Sequence, residues 1–156
     1  DFDRLRAAAE IAGRPLSVLL LQVHNAPDIW KDTLARIHAA RAAGLEVTGQ
    51  VGSRPIGVMM ALEGSIHPFT THPLWIAMAG LTPRERAQRL LNDAELRRRL
   101  WTERPDDAHT RMIAGLFPRT FRITAPMNYE PDVRDSVGAI AQREGRDAFE
   151  VALDLL

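Results

Sequence analysis

The chain has 156 residues, with 20 basic and 20 acidic side chains, 46% hydrophobic residues and no cysteine. Formal neutrality leaves no overall field to draw nucleic acid or an anionic membrane, and the lack of cysteine excludes a disulfide framework, a thiolate metal site and a cysteine nucleophile. What remains is a globular composition long enough for a real core. The expected setting is a reducing, cytoplasmic one, with neither nucleic acid nor membrane as partner.

In chain order, Phe2, Leu5, Ala9 and Ile11 fall in helical register and predict a helix over 2–12. Gly13 stops it and Pro15 bars its continuation. Residues 16–23 form a continuous apolar run bounded by turn signals, the pattern of a strand buried on both faces. That run is too short to span a bilayer. Asp28 is a helix N-cap by type, and Trp30, Leu34 and Ile37 space out an apolar stripe that ends at Gly44. "LEVTGQV" at 45–51 is the next strand. Helix, strand, helix, strand with short links predicts two parallel neighbours joined by a right-handed crossover.

After residue 52 the grammar changes. "HPFTTHPLW" carries two prolines and two histidines, and predicts a compact irregular segment packed by Phe69 and Trp75. "TPRE" at 82–85 is a capping box with proline at the first helical position. A second capped helix follows in "NDAELRRRLWTE" and ends near Pro105. Residues 108–117 fit neither period cleanly, and "TFRIT" at 120–124 reads as a short strand. "YEPDVRDSVGAIAQREG" predicts a helix with Val133, Val137, Ile140 and Ala141 inward and Gly145 closing it, and "DAFE" opens a last helix. The pattern opens and closes inside helices, so a segment of a longer protein is expected. The expected division is 1–52 as a βαβ segment and 53–156 as a mostly helical part.

In parallel α/β folds the chemistry gathers at the carboxyl ends of the strands. The first such end offers Gln22, His24 and Asn25; the second offers Gln50, Ser53 and Arg54. A neutral imidazole at His24 suits a metal ligand or a general base, and the guanidinium of Arg54 suits bidentate grip of a carboxylate. His67 and His72 lack a carboxylate of matching spacing, and a packed loop accounts for them better than a metal. In "ELRRRLWTERP" the carboxylates Glu95 and Glu103 interleave with Arg97, Arg98 and Arg99, which reads as a solvated helix face. Phosphate-loop, dinucleotide and nucleophile-elbow motifs are absent from the sequence.

"GRPLSVLLLQ", a tryptophan, "ARAAGLEVTGQVGSRPIGV", "HPF", "PLW" and "YEPDVRDSVGAIAQREGRDAFEVALDLL" together resemble the middle of the N-acyl-D-amino-acid deacylases, the D-aminoacylase branch of the amidohydrolase superfamily. The resemblance runs along almost the whole chain. It implies a piece of a (β/α)₈ barrel: two late parallel strands with their crossover helix, plus a mostly helical insertion covering the site. It also implies zinc, or another divalent metal, and hydrolysis of the amide of an N-acylated D-amino acid. It implies a metal-ligand and catalytic role for a histidine at the end of the first strand, His24; Gln22, Gln50, Ser53 and Arg54, read from the strand ends themselves, are the expected substrate contacts. A gapless count from Gly13-Arg14-Pro15 puts Leu20 at the family's ligand position; a four-residue shift puts His24 there. The family's bridging cysteine, first histidines and catalytic aspartate would lie outside these residues, so the isolated chain is expected to be inactive. "HNAP" and "GQVGSRPIG" replace the family's lysine and tyrosine-rich turn. Open strand edges predict self-association or pairing with the missing barrel parts. Two other readings stay open: a non-enzymatic binding module on the same scaffold, and an amidohydrolase acting on another amide or a cyclic imide.

Overall fold

A computed structural model describes residues 2–53 and 57–156. The chain divides into two compact units, Asp1–Gly57 and Val58–Leu156.

The first unit is a parallel βαβ arrangement preceded by a helix. Helix α1 spans Phe2–Ala12, strand β1 Leu16–Leu19, helix α2 Ile29–Ala42 and strand β2 Val47–Gln50. The two strands pair in parallel, with Leu16 opposite Val47 and Leu19 opposite Gln50. Gly44 adopts φ 87°, a left-handed conformation that closes α2 and would strain any side chain. Asp28 does stand at the N-cap of α2 but makes no side-chain cap bond; its carboxylate pairs with Lys31 at 2.7 Å instead.

One face of the sheet is covered: Val18, Ile37, Ala40 and Val47 are buried, with Phe2, Leu16 and Leu45 packed against them. Gly49 permits this close approach, since a Cβ there would meet Ile37 Cδ1 at 3.2 Å. The other face is not covered, and Leu19 on it is 62% exposed. Two expectations are corrected here. The apolar run was expected to be a strand as far as Val23, yet it pairs regularly only through Leu19, because β2 ends at Gln50 and leaves it no partner beyond Leu20. It was also expected to be buried on both faces, whereas one side is bare.

The second unit is helical: α3 (Pro73–Ile76), α4 (Pro83–Asn92), α5 (Ala94–Thr102), α6 (Ala108–Leu116), α7 (Val137–Glu144) and α8 (Ala148–Leu155), with 3₁₀ turns at Phe117–Arg119 and Val133–Asp135. The start signals act as their chemistry dictates. Thr82 and Glu85 close a complete capping box on α4, and the carboxylates of Asp93, Asp107 and Asp147 accept main-chain N–H groups at the starts of α5, α6 and α8. The core gathers Phe69, Trp75, Leu100, Ile113, Phe117, Val137 and Phe149 among its buried side chains. Helix α8 is nearly engulfed, with Phe149, Val151, Ala152 and Leu153 all buried. The long helix expected from Tyr129 onward is shorter: the chain makes a 3₁₀ turn first, Val133 is 72% exposed, and α7 starts only after the Ser136 cap. The "TFRIT" strand reduces to one antiparallel bridge between Phe121 and Ser136.

Candidate functional site

Parallel pairing sends both strands out at the same end of the sheet, so the residues after β1 and after β2 share that end. The Leu20 amide donates to the Gln50 carbonyl at 2.8 Å, which sets Gln50 beside the exit of β1. Gln22, His24, Gln50 and Ser53 are all exposed; Arg54 lies outside the described residues. His24 stands in a tight turn closed by the Val23–Ala26 bridge, where the Ala26 N–H donates to the Val23 carbonyl at 3.1 Å. Leu20, at the gapless ligand position, is half-buried, with Cδ2 3.4 Å from where a Cβ on Gly49 would stand, so its side chain serves the covered face. The polar groups therefore occupy one open rim rather than an enclosed pocket. Among the described residues no three or more His, Cys, Asp or Glu side chains converge to hold a metal ion.

No protein-family model, curated protein or solved structure matches this chain.

The denser polar constellation is in the second unit, around the "HPFTTHP" segment. His67 and His72 are 1% and 2% exposed, unusual burial for imidazoles. Each is followed by proline, which has no N–H, so the first amide free to reach back is two residues on. His67 Nδ1 accepts from the Phe69 N–H at 3.2 Å, and His72 Nδ1 accepts from the Leu74 N–H at 3.1 Å. Both rings therefore present an unprotonated Nδ1 inward and carry their proton on Nε2. The segment is wound tightly: the Thr70 hydroxyl accepts from the His67 N–H at 3.0 Å and donates to the His67 carbonyl at 2.9 Å. His109 Nε2, from α6, donates to that same carbonyl at 2.9 Å, which fixes its tautomer as well.

The surroundings favour neutral rings. Burial, reinforced by the nearby His109 and Arg86, pushes the His67 imidazole down to about 4. The Trp75 ring stands edge-on to it with centroids 4.8 Å apart. Burial also lowers the pKa of His72, opposed by the Arg99 main chain and the Glu103 charge at the end of α5. His72 Nε2 faces that helix end without closing a full hydrogen bond. Thr71 Oγ1 is similarly buried without a well-formed bond, although it lies close enough to Asp107 to help hold that carboxylate below its usual range, after the Thr110 main chain. The sequence signal for this arrangement was the twice-repeated His-Pro. Spacing alone did not reveal that the rings cap their own loop.

Proposed function

We propose that this chain is a βαβ portion of a metal-dependent amidohydrolase barrel with its helical insertion, and that the complete barrel hydrolyses the amide of N-acylated D-amino acids. The reading rests on the resemblance described above. One structural observation supports it: a parallel strand pair with its crossover helix, covered on one face and bare on the other, carrying polar side chains at the carboxyl end. Parallel sheets are stable when both faces are covered, and a barrel also removes the open edges. In that setting the bare face with Ser17, Leu19 and Thr48 turns toward the barrel interior, and His24, Gln22, Gln50 and Ser53 stand at its catalytic rim.

A catalytic zinc takes three protein ligands. The described residues do not fit such an ion by themselves, since no three His, Asp or Glu side chains among them converge, at His24 or elsewhere. The proposed part of this chain is therefore to supply one imidazole, as ligand or base, and neutral hydrogen-bonding groups to a substrate amide; Arg54, by its chemistry alone, is the proposed partner of the substrate carboxylate.

The test has two stages. The coding sequence on either side of these residues should supply a cysteine and paired histidines before them and a Ser-Asp-Gly motif after them. The longer product should then contain a divalent metal and release amino acid from N-acyl-D-glutamate but not from the L-isomer, while the 156-residue chain alone does neither. His24→Ala in the longer product should lower kcat by about 10²-fold or more. A longer product with no metal and no hydrolysis of either isomer, or an unaffected His24→Ala variant, refutes the proposal.

A further inference from the structure

We infer that residues 67–74 form an acid-released clasp, in which protonation of His67 and His72 at Nδ1 withdraws the acceptors that hold the Phe69 and Leu74 amides and opens the segment over Phe69 and Trp75. The argument starts from the number of acceptors on each ring. A neutral imidazole has one donor nitrogen and one acceptor nitrogen. In both histidines the acceptor is already engaged by a main-chain N–H. The incoming proton therefore has one place to go, and there it meets an N–H donor head-on. Protonation therefore competes with the folded loop at both rings, and each ring sits in the same His-Pro-X frame, so the two act together on one eight-residue stretch.

The groups facing the rings set the range of pH. His67 is packed against His109 of α6, Arg86 of α4 and Trp75 of α3, with no carboxylate among the groups that shift it. His72 faces the carboxyl end of α5, where Arg99 and Glu103 lie, and Glu103 is itself held by Arg99 at 2.8 Å. A helix carboxyl end and Glu103 favour a cation, so His72 resists protonation less than His67 does. Protonation is accordingly coupled less strongly to opening at the His72 end than at the His67 end. Asp107, which caps α6 and lies by Thr71, stays ionised through this range and keeps α6 in place.

Release acts on a defined part of the unit. Thr70, the Phe69 carbonyl and His109 all tie into the 67–72 turn, whereas the capping bonds of α4, α5, α7 and α8 involve other side chains. Opening exposes Phe69 and Trp75, which are now 1% and 7% exposed. It leaves the remaining helices with their own start signals.

The experiment is amide hydrogen exchange on the full chain, read at Phe69 and Leu74 and corrected for intrinsic rates, between pH 7.5 and 5. With an ordinary histidine near 6.5 and His67 held to about 4, protection at Phe69 should fall roughly thirtyfold over that interval. Leu74 should lose protection by a smaller factor, and amides within α7 should lose far less than either. The double variant His67→Asn, His72→Asn places an amide oxygen where each Nδ1 accepts and removes the titration, so protection at both positions should become independent of pH. Flat protection in the unaltered chain, or an unchanged fall in the double variant, overturns the inference. Should the double variant fail to fold, the ring ¹⁵N spectrum of the unaltered chain at pH 7.5 decides: His67 and His72 protonated on Nε2 uphold the clasp, and either ring protonated on Nδ1 refutes it.

Discussion

Replacing Phe149 by leucine tests whether α8 is seated in the core of the second unit. The ring is 4% exposed and meets Phe117 edge-on at a centroid distance of 4.8 Å and Phe69 at 6.3 Å. The Arg104 guanidinium lies 4.8 Å from its centroid on a face, held there by Asp147 at 2.8 Å. Leucine keeps most of the apolar volume, so the loss is mainly the aromatic geometry. The close Phe117 pair contributes about 1 kcal/mol, the more distant Phe69 pair less, and the partly exposed cation over the ring about 0.5–1 kcal/mol. With imperfect filling of the vacated ring, Phe149→Leu should cost about 2–3 kcal/mol. In a unit of roughly 100 residues that lowers the melting temperature by about 10–15 °C. Urea and thermal unfolding followed by circular dichroism measure both quantities. A double-mutant cycle with Phe117→Leu should return a coupling near 1 kcal/mol. A single variant within 0.5 kcal/mol of the unaltered chain, or a coupling near zero, would show that α8 does not pack where the aromatic geometry puts it.

Further expectations follow from single contacts. Thr82→Ala removes the hydroxyl that accepts the Glu85 amide at 3.3 Å and should cost about 1 kcal/mol by chemical denaturation. Gly138→Ala would put a Cβ 3.1–3.3 Å from main-chain atoms of Phe117 and Pro118, which a 3₁₀ turn yields reluctantly, so a loss of about 1 kcal/mol or more is expected in the same assay. Folding stability should also depend on pH through His67. Its folded pKa is depressed to about 4, so the unfolded chain takes up the proton first; stability is full above about 6.5 and declines as pH falls toward 4, by up to about 3 kcal/mol. Unfolding midpoints at pH 7.5, 6 and 4.5 show that slope, and His67→Asn flattens it.

The elements with strong local signals were legible in the sequence. Helix α1 lies where its apolar register put it, Thr82 and Glu85 form the box that their types and spacing announce, and the two strands pair in parallel as helix-strand alternation requires. Strand length was not legible, because a ladder ends when its partner ends: Leu21 and Val23 are as apolar as Leu19 but have no residue of β2 opposite them. Val133 misled for a different reason. Periodicity assigned it to the inner face of a helix, while Asp132 captures the Arg134 amide at 2.9 Å and tightens that stretch into a 3₁₀ turn, which rotates Val133 outward. At the candidate rim the sequence supplied residue types and the strand register supplied the shared end, but convergence of donors is a tertiary property that no spacing in the sequence carried. The buried histidines show the converse. The expected packed loop around Phe69 and Trp75 is present, and within it the two imidazoles accept the Phe69 and Leu74 amides, the first N–H groups after Pro68 and Pro73.

The two units differ in how much of their own stability they carry. The second unit buries fourteen apolar side chains in one cluster, drawn from all six of its α-helices, the 3₁₀ turn at Phe117–Arg119 and the loops at Phe69 and Met78. In the first, the described residues bury four in the cluster between sheet and helices, and Leu19 and Val51 remain 62% and 72% exposed. Ordering a backbone residue costs about 1–2 kcal/mol in conformational entropy, and a two-stranded sheet is marginal without further cover. The first unit is therefore expected to be the weaker of the two, its sheet held by whatever covers the bare face. Two measurements follow. In the isolated chain, amides of β1 and β2 should exchange at least tenfold faster than those of α7 and α8, and Leu19→Gln should change stability by less than 0.5 kcal/mol, since Leu19 gives up little contact. In a longer product where this face turns into a barrel, the same substitution buries an amide among apolar neighbours and should cost about 2 kcal/mol or more. Equal effects of Leu19→Gln in the two contexts would mean that the bare face is a true surface, and would remove the structural support for the barrel proposal.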